Sequence, residues 1–187
     1  MTYDFVYFLE RKVSQMSQKH LHSIHVSHYK HTAGCATEVM PIPDVVKISM
    51  SQHIGAPAKP LVAKGDRVLA GQKIGEAGGF ISANVICSVS GTVKAIEPRR
   101  MVNGAMVPSI IVENDGEYET VEGVGEDRDP STLSKDEIRS IVKEAGIVGL
   151  GGAGFPTHVK LTPKDENAID YVIVNGAECE PYLTSDY

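Results

Sequence analysis

The residues with the clearest chemical potential form a glycine-rich segment, GLGGAGFPT, at positions 149–157. Four glycines fall within six residues, and an aromatic ring and a proline close the run, a composition that excludes the interior of a helix or strand. Backbone N–H groups in such a loop can converge on an anion, and the missing side chains let a phosphate or a ring system lie against the chain. The segment therefore predicts a loop that binds a nucleotide or a flavin.

Four side chains that follow the loop have the chemistry to bind the same ligand. Lys160 can meet a phosphate as a point charge, and Asn175 can both donate to and accept from a flavin or ribose edge. Glu178 and Glu180 can accept hydrogen bonds from ribose hydroxyls or ring N–H groups. The alternative for the two glutamates is a solvated acidic turn, and the residues leave both interpretations open.

The loop matches neither of the two common phosphate-binding motifs. It is not G-x-x-x-x-G-K-[ST], and it is not G-x-G-x-x-G with an acidic residue about 20 positions further on. The loop is therefore predicted to bind a ligand, but these motifs do not identify which ligand.

A helix before the loop and a strand after it are predicted to position these residues. Residues 134–137 form a capping box, and apolar residues follow at helical spacing on one face: Ile138, Ile141, Val142 and Ala145. Gly146 is a candidate C-cap, and residues 169–175 predict a buried strand. Helix, glycine loop, strand and acidic turn follow one another as in an α/β layer.

The remainder of the chain divides into three further segments. Residues 40–113 predict a compact β module, because short β segments alternate with glycine turns at close intervals. Residues 114–133 are acidic and turn-rich and predict a linker. Residues 1–39 are an N-terminal extension whose histidines lack an interleaved set of cysteines or carboxylates, so a solvated or partner-facing strand is favoured over a metal site. These histidines are His20, His22, His25, His28 and His31.

Composition narrows the function classes. A net charge of −6 over 187 residues gives no electrostatic reason to expect nucleic-acid binding. No apolar run approaches the roughly 18–20 residues that span a bilayer, so membrane association is expected only through partners. Three widely separated cysteines cannot form a disulfide framework, which favours a reducing, cytoplasmic setting.

The β module contains a sequence motif that resembles that of a known fold. V-x-x-G-D-x-V-x-x-G-Q-x-I, beginning at Val62, followed by SVSGTV at 88–93, resembles the barrel-sandwich hybrid fold of biotinyl and lipoyl domains. Those carriers present a lysine at a hairpin tip, whereas Lys94 lies further down the next strand. A docking or scaffolding module is therefore favoured over a modified carrier.

The glycine loop carries a second resemblance. GLGGAGFPTHVK at 149–160 is similar to the GRGGAGFPTGxKW loop of the flavin-binding, NADH-oxidising subunit of respiratory complex I, and NGAECEP at 175–181 resembles its NGDESEP segment. Together with QHIGAPAKPLV at 52–62, these segments most resemble the C subunits of Rnf-type ion-translocating electron-transport complexes. That resemblance extends from about residue 22 to residue 187.

The resemblance implies a site for FMN and NAD(H). The loop glycines would line FMN, Asn175 and Glu178 would hold it, Lys160 would contact the FMN phosphate or NADH, Phe155 would stack near the nicotinamide, and Glu180 would contact NADH. The expected site residues are Gly149, Gly151, Gly152, Ala153, Phe155, Lys160, Asn175, Glu178 and Glu180. The chain departs from the complex I motifs at three positions, which weakens the FMN contacts that the resemblance implies. Leu150, Ala177 and Cys179 stand where complex I has arginine, an acidic residue and serine.

The expected fold is α+β and multi-domain, a barrel-sandwich hybrid followed at 134–187 by the start of an α/β, Rossmann-like FMN/NADH-binding domain. The implied function is electron transfer in a membrane-associated NAD:ferredoxin-type oxidoreductase complex, peripheral on the cytoplasmic face through partner subunits and linked to ferredoxin indirectly. In the family, [4Fe–4S] clusters lie further C-terminal, so this chain is expected to be a truncated piece with little catalysis of its own. The alternatives are a non-catalytic β docking module and a cobalamin-reductase subunit of a diol-utilising microcompartment.

Overall fold

The computed structural model describes residues 27, 29, 31–150 and 152–173. Two compact units are distinguished, Val39–Tyr171 and a unit formed by the two flanking segments. Of the flanking unit, the structure describes a turn over residues 31–34 and short stretches without regular secondary structure. Several predictions from the sequence lie outside the described residues: those on His20, His22, His25, His28, Gly151, Asn175, Glu178 and Glu180.

Seven antiparallel strands build the predicted β module. One sheet has the order β1-β7-β6-β3 and the other the order β2-β4-β5. The strands are β1 Val45–Ser49, β2 Lys59–Pro60, β3 Arg67–Val68, β4 Lys73–Glu76, β5 Val85–Ile86, β6 Gly91–Arg100 and β7 Met106–Asn114.

An apolar core lies between the two sheets. Ile110 and Val112 of β7 contribute from one sheet and Ile74 of β4 from the other, each with no exposed surface. Each such side chain contributes roughly 1.5–3 kcal/mol relative to an exposed one. Cys87 belongs to this core, and burial raises the pKa of its thiol. The apolar residues of the β segments predicted from the sequence supply this core.

The first part of the segment predicted as a linker is attached to the β module. Ala70 forms a parallel bridge with Thr120, and the buried Ser90 Oγ donates to Asp115 Oδ1 at 2.6 Å. Arg67 pairs with the same Asp115 carboxylate at 2.9 Å. Residues 115–121 are therefore held by hydrogen bonds and charge rather than by apolar burial, which is why composition alone made them resemble a free linker.

The helix predicted from the capping box is present as α1, Lys135–Glu144. Ser134 Oγ accepts from Glu137 N–H at 3.3 Å, and the Glu137 carboxylate accepts from Ser134 N–H at 2.8 Å. Gly146 follows the last turn at φ +66°, as a glycine beyond a helix end commonly does. A short helix α2, Thr157–Lys160, and two 3₁₀ turns, Pro130–Thr132 and Glu166–Ala168, complete the described elements.

The C-terminal end of α1 is joined to the β module at Asn84. The buried Asn84 side chain donates to Lys143 O at 3.2 Å, and Lys73 Nζ lies 2.8 Å from Glu144 Oε2. A Cβ on Gly146 would lie 2.4 Å from Asn84 O, so only glycine allows this close approach. The contact between the end of α1 and the β module is therefore made by polar side chains and backbone atoms.

The prediction of a buried strand is wrong for residues 169–173. This stretch is neither helix nor strand, and Tyr171, Val172 and Ile173 are exposed. A strand forms only by hydrogen bonding to a neighbouring strand, and no described strand pairs with this stretch. Among the residues described, no helix has the length and apolar character that crossing a bilayer requires.

Candidate functional site

The glycine loop is closed at its base by one antiparallel bridge, which two backbone hydrogen bonds form. Val148 and Pro156 form an antiparallel bridge. Gly149 N–H donates to Phe155 O at 3.0 Å, and Thr157 N–H donates to Ile147 O at 3.0 Å. The described residues between these contacts therefore belong to a hairpin-like loop, and α2 begins directly after it.

The loop is seated on the β1–β2 connection of the β module. Ile54 N–H donates to Ala153 O at 2.9 Å. Gly154 has φ +58°, and a Cβ there would lie 2.8 Å from Gln52 O and 3.3 Å from His53 Cα. The glycine at 154 is thus explained by backbone packing, not by a ligand.

His53 fixes this connection and was not predicted from the sequence. It is buried, its Nε2 accepts from Ala83 N–H at 3.1 Å, and its Nδ1 lies 3.1 Å from Ile54 O. Nε2 also lies 3.2 Å from Ala83 O, so both ring nitrogens contact backbone atoms. Its partner Ala83 lies 30 residues away, so no local pattern could have identified the role.

A cleft of about 550 Å³ lies between the glycine loop and the β module. Its volume falls within the roughly 300–1,000 Å³ typical of small-molecule sites. Three segments line it: residues 51–54, residues 101–103 with Val107 from the β6–β7 hairpin, and the described residues of 148–154. None of these lining residues carries a carboxylate, an ammonium or a guanidinium group.

The structure brings three of the predicted site residues, Gly149, Gly152 and Ala153, to this cleft. A Cβ on Gly149 would lie 3.7 Å from its nearest neighbour, an ordinary van der Waals contact, and Gly149 has no left-handed φ. Gly152 has φ +59°, and no described atom lies within 4 Å of its Cβ position. The described fold therefore gives Gly149 no steric reason to be glycine.

Phe155 and Lys160 lie next to each other but do not line the cleft. Lys160 Nζ is 5.9 Å from the centroid of the Phe155 ring, a cation–π distance. The exposed lysine therefore covers a face of the half-buried ring. The structure places these two predicted residues together at the base of the loop, apart from the three that line the cleft.

His158 is a further titratable group beside the loop. Its Nδ1 is buried and has no hydrogen-bond partner among the described residues. Burial, with a smaller contribution from Lys143, lowers the pKa of the imidazole. The neutral ring is therefore the form that this environment favours.

The described structure thus combines a two-sheet β module with a glycine-rich loop beside an open cleft. Comparison with known proteins identifies the family to which the chain belongs. The family model described as the RnfC barrel sandwich hybrid domain matches residues 19–117, and the chain belongs to this family. A second model, the Nuo51 FMN-binding domain, matches residues 142–187 and so contains the glycine loop.

Curated relatives agree with this assignment. The chain is 49% identical over 84% of its length to the C subunit of the proton-translocating ferredoxin:NAD(+) oxidoreductase complex of Clostridium ljungdahlii, matching 35% of that protein. It is 50% identical over 78% of its length to the C subunit of the Na(+)-translocating ferredoxin:NAD(+) oxidoreductase complex of Acetobacterium woodii, matching 33% of it. The C subunit of the ion-translocating oxidoreductase complex of Rhodobacter capsulatus is 42% identical over 87% of the chain and 32% of the relative.

These findings confirm the predicted barrel-sandwich hybrid and the resemblance to Rnf C subunits. The chain spans about a third of the length of the curated relatives it matches. The match to an FMN-binding domain supports FMN as the cofactor of the glycine loop. The contacts of the individual site residues with a cofactor stay predictions.

Proposed function

We propose that this chain supplies the β module and the glycine-loop wall of a flavin site in an electron-transfer subunit. That subunit would belong to a membrane-associated NAD:ferredoxin-type oxidoreductase complex, bind FMN and NAD(H), and pass electrons to iron–sulfur clusters. The observation that carries the proposal is Gly149, a cleft-lining glycine whose missing side chain the described fold does not require. The FMN-binding family match over the same loop agrees with it.

The residues present fit a flavin. The loop offers bare backbone at Gly149 and Gly152, and the cleft has the volume of a small-molecule site with an uncharged lining. When bound, FMN supplies the exchange between two-electron transfer with a nicotinamide and one-electron transfer with clusters. The chain's own contribution is to orient the ring against the loop and to exclude water from one of its faces.

The charged residues have separate proposed tasks. Lys160 is exposed near the loop and would bind a phosphate once drawn away from the Phe155 ring. That movement would free the ring face of Phe155 for a nicotinamide. Asn175 and Glu178 as FMN ligands and Glu180 as an NADH contact rest on the sequence resemblance alone, because they lie outside the described residues.

The proposed partners and location follow the relatives' names. The C subunit of a ferredoxin:NAD(+) oxidoreductase complex works with other subunits, so this chain would join such an assembly and meet ferredoxin indirectly. We propose a peripheral position on the cytoplasmic face of the membrane, through partner subunits. The [4Fe–4S] clusters would be held by sequence beyond residue 187.

The test is a titration of FMN into the chain and into a longer form that extends to the length of its relatives. Gly149→Ala should weaken FMN binding at least about tenfold, because the new methyl group occupies the ligand's contact surface. The control is Gly79→Ala, another glycine without a left-handed φ, whose Cβ would meet only Ala56 Cβ at 3.3 Å. Both variants should keep the wild-type melting temperature within a few degrees. Absence of FMN binding in both wild-type forms would contradict the proposal.

A further inference from the structure

The hairpin between β6 and β7 extends beyond the sheet as an arm, defined here as residues 99–107. β1 pairs with β7 no further than Ser109, and β3 pairs with β6 only at its first two residues. The tip is closed by its own backbone, since Met101 N–H donates to Ala105 O at 2.8 Å and Gly104 N–H donates to Met101 O at 2.9 Å. The shape of the arm is therefore set by the hairpin itself.

The arm presents different residues on its two faces. Arg99 pairs with Val107 and Arg100 pairs with Met106, so Val107 and Met106 point to opposite sides. Val107 lines the cleft, whereas Met106 does not and is 60% exposed. One face of the arm thus belongs to the cleft, and the other provides a natural control.

Two fully exposed aliphatic side chains line the same cleft from different segments. Val102 at the arm tip has a relative exposure of 108%, and Leu150 in the glycine loop has 102%. Exposed aliphatic groups that border one concave surface mark a place where an apolar partner gains by covering them. None of the described residues that line the cleft carries a formal charge, which is compatible with an uncharged ring system.

We infer that the arm is the second wall of the flavin site and that Val102 and Leu150 contact the flat, uncharged ring system of the flavin. The inference rests on the proposed function, and it assigns a ligand-contacting role to the β module. It also gives Leu150 a task, because an aliphatic side chain can pack against a flat ring face. These ring contacts do not involve the phosphate, which is assigned above to Lys160 outside the cleft, so riboflavin should make the same contacts with Val102 and Leu150 as FMN does.

The test uses riboflavin and FMN with the full chain and with the longer form, read by quenching of flavin fluorescence. Val102→Ser should weaken binding of both ligands by the same factor, about fivefold, because it removes aliphatic contact area without adding charge. Leu150→Ser should act similarly, and the double variant should lose about twentyfold. The control Met106→Ser, on the opposite face of the same arm, should change affinity less than about twofold.

The outcomes separate this inference from the proposed function. If wild-type protein binds flavin and Val102→Ser behaves like Met106→Ser, the arm is not a wall of the site and the inference is overturned, while the proposed function stands. If Val102→Ser weakens FMN but not riboflavin, the arm contacts the phosphate end, which also overturns it. If neither form binds either flavin, the proposed function fails and this inference fails with it.

Discussion

The β module and the region that carries the glycine loop are stabilised in different ways. The β module buries a continuous apolar core that includes Met50, Ile74 and Ile110 without exposed surface. In the region from residue 135 to 173, neither α1 nor α2 contains a buried residue, and Pro156 is the described side chain with full burial. The candidate chemistry therefore lies in the part of the chain that has the least core of its own.

The loop region depends on the module through a few polar and backbone contacts. Asn84 binds the end of α1, Ala153 accepts from Ile54, and Gly154 packs on Gln52. Such contacts fix geometry without filling space, so a ligand can still reach the loop backbone. The module thus serves as the base on which the loop is seated, and these contacts position the candidate site.

The largest expected effect comes from the core of the β module. Ile110→Ala should lower the free energy of unfolding by about 2–5 kcal/mol, because it leaves a cavity in a close-packed interior. Ile141→Ala on the half-buried face of α1 should lower it by only about 1 kcal/mol. Urea denaturation measures both. Equal losses would contradict the contrast between the two regions.

A matched pair of glycines tests how the loop is attached to the module. Gly152 and Gly154 have nearly the same left-handed φ, +59° and +58°, but only Gly154 packs against the module. Both alanine variants incur the backbone cost of about 1–2 kcal/mol for a left-handed residue. Gly154→Ala should in addition displace the loop from Gln52, which hydrogen exchange at Ile54 N–H would detect as faster exchange.

The opposite ranking would show that the loop is not seated on the module. If Gly152→Ala speeds exchange at Ile54 as much as Gly154→Ala does, the close approach to Gln52 is not what holds the loop.

The Asn84 contact should have a smaller effect. Asn84→Ala removes both the donor to Lys143 O and the acceptor of Ala77 N–H, at a cost of about 1–2 kcal/mol. The loss should appear as faster hydrogen exchange in α1, with β6 and β7 unchanged. Uniform acceleration across both sheets would indicate that Asn84 serves the module and not the join.

The smallest expected effect is the pH response of His158. In the folded chain, burial lowers the pKa of His158 below its ordinary value of 6.5. As the pH falls through 6.5, the folded state therefore binds fewer protons than the unfolded state. Its contribution to stability is therefore present above pH 6.5 and is lost as the pH falls through the folded pKa. His158→Phe should flatten this part of the stability curve, measured as melting temperature against pH from about 5 to 7.5. An unchanged slope would mean that the imidazole titrates as a free one.

The sequence predicted correctly those elements whose formation depends on residues close together in the chain. The capping box at Ser134 and Glu137 located the start of α1, and the alternation of β segments with glycine turns located the β module. The strand expected from residue 169 onward failed over its described part because pairing is a non-local property. Its apolar composition could not supply a neighbouring strand.

The candidate site divides in the same way. The glycine loop was predicted because its composition excludes regular structure, but its seat on Gln52 and Ile54 joins residues about 100 positions apart. His53 and the arm were missed for that reason, although Asn103-Gly104 is a known signal for a tight hairpin turn. The sequence motif locates the candidate loop, whereas the segments that lie across the cleft from it become known only from the fold.

An NMR titration of the isotope-labelled chain with FMN would show directly whether the loop and the arm form one flavin site. If they do, the amide signals of Gly149, Gly152 and Val102 should shift with a single dissociation constant. The signals of Gly125, an exposed left-handed glycine outside the cleft, should not move. Saturable FMN binding that leaves the loop amides in place and shifts another surface would contradict this assignment.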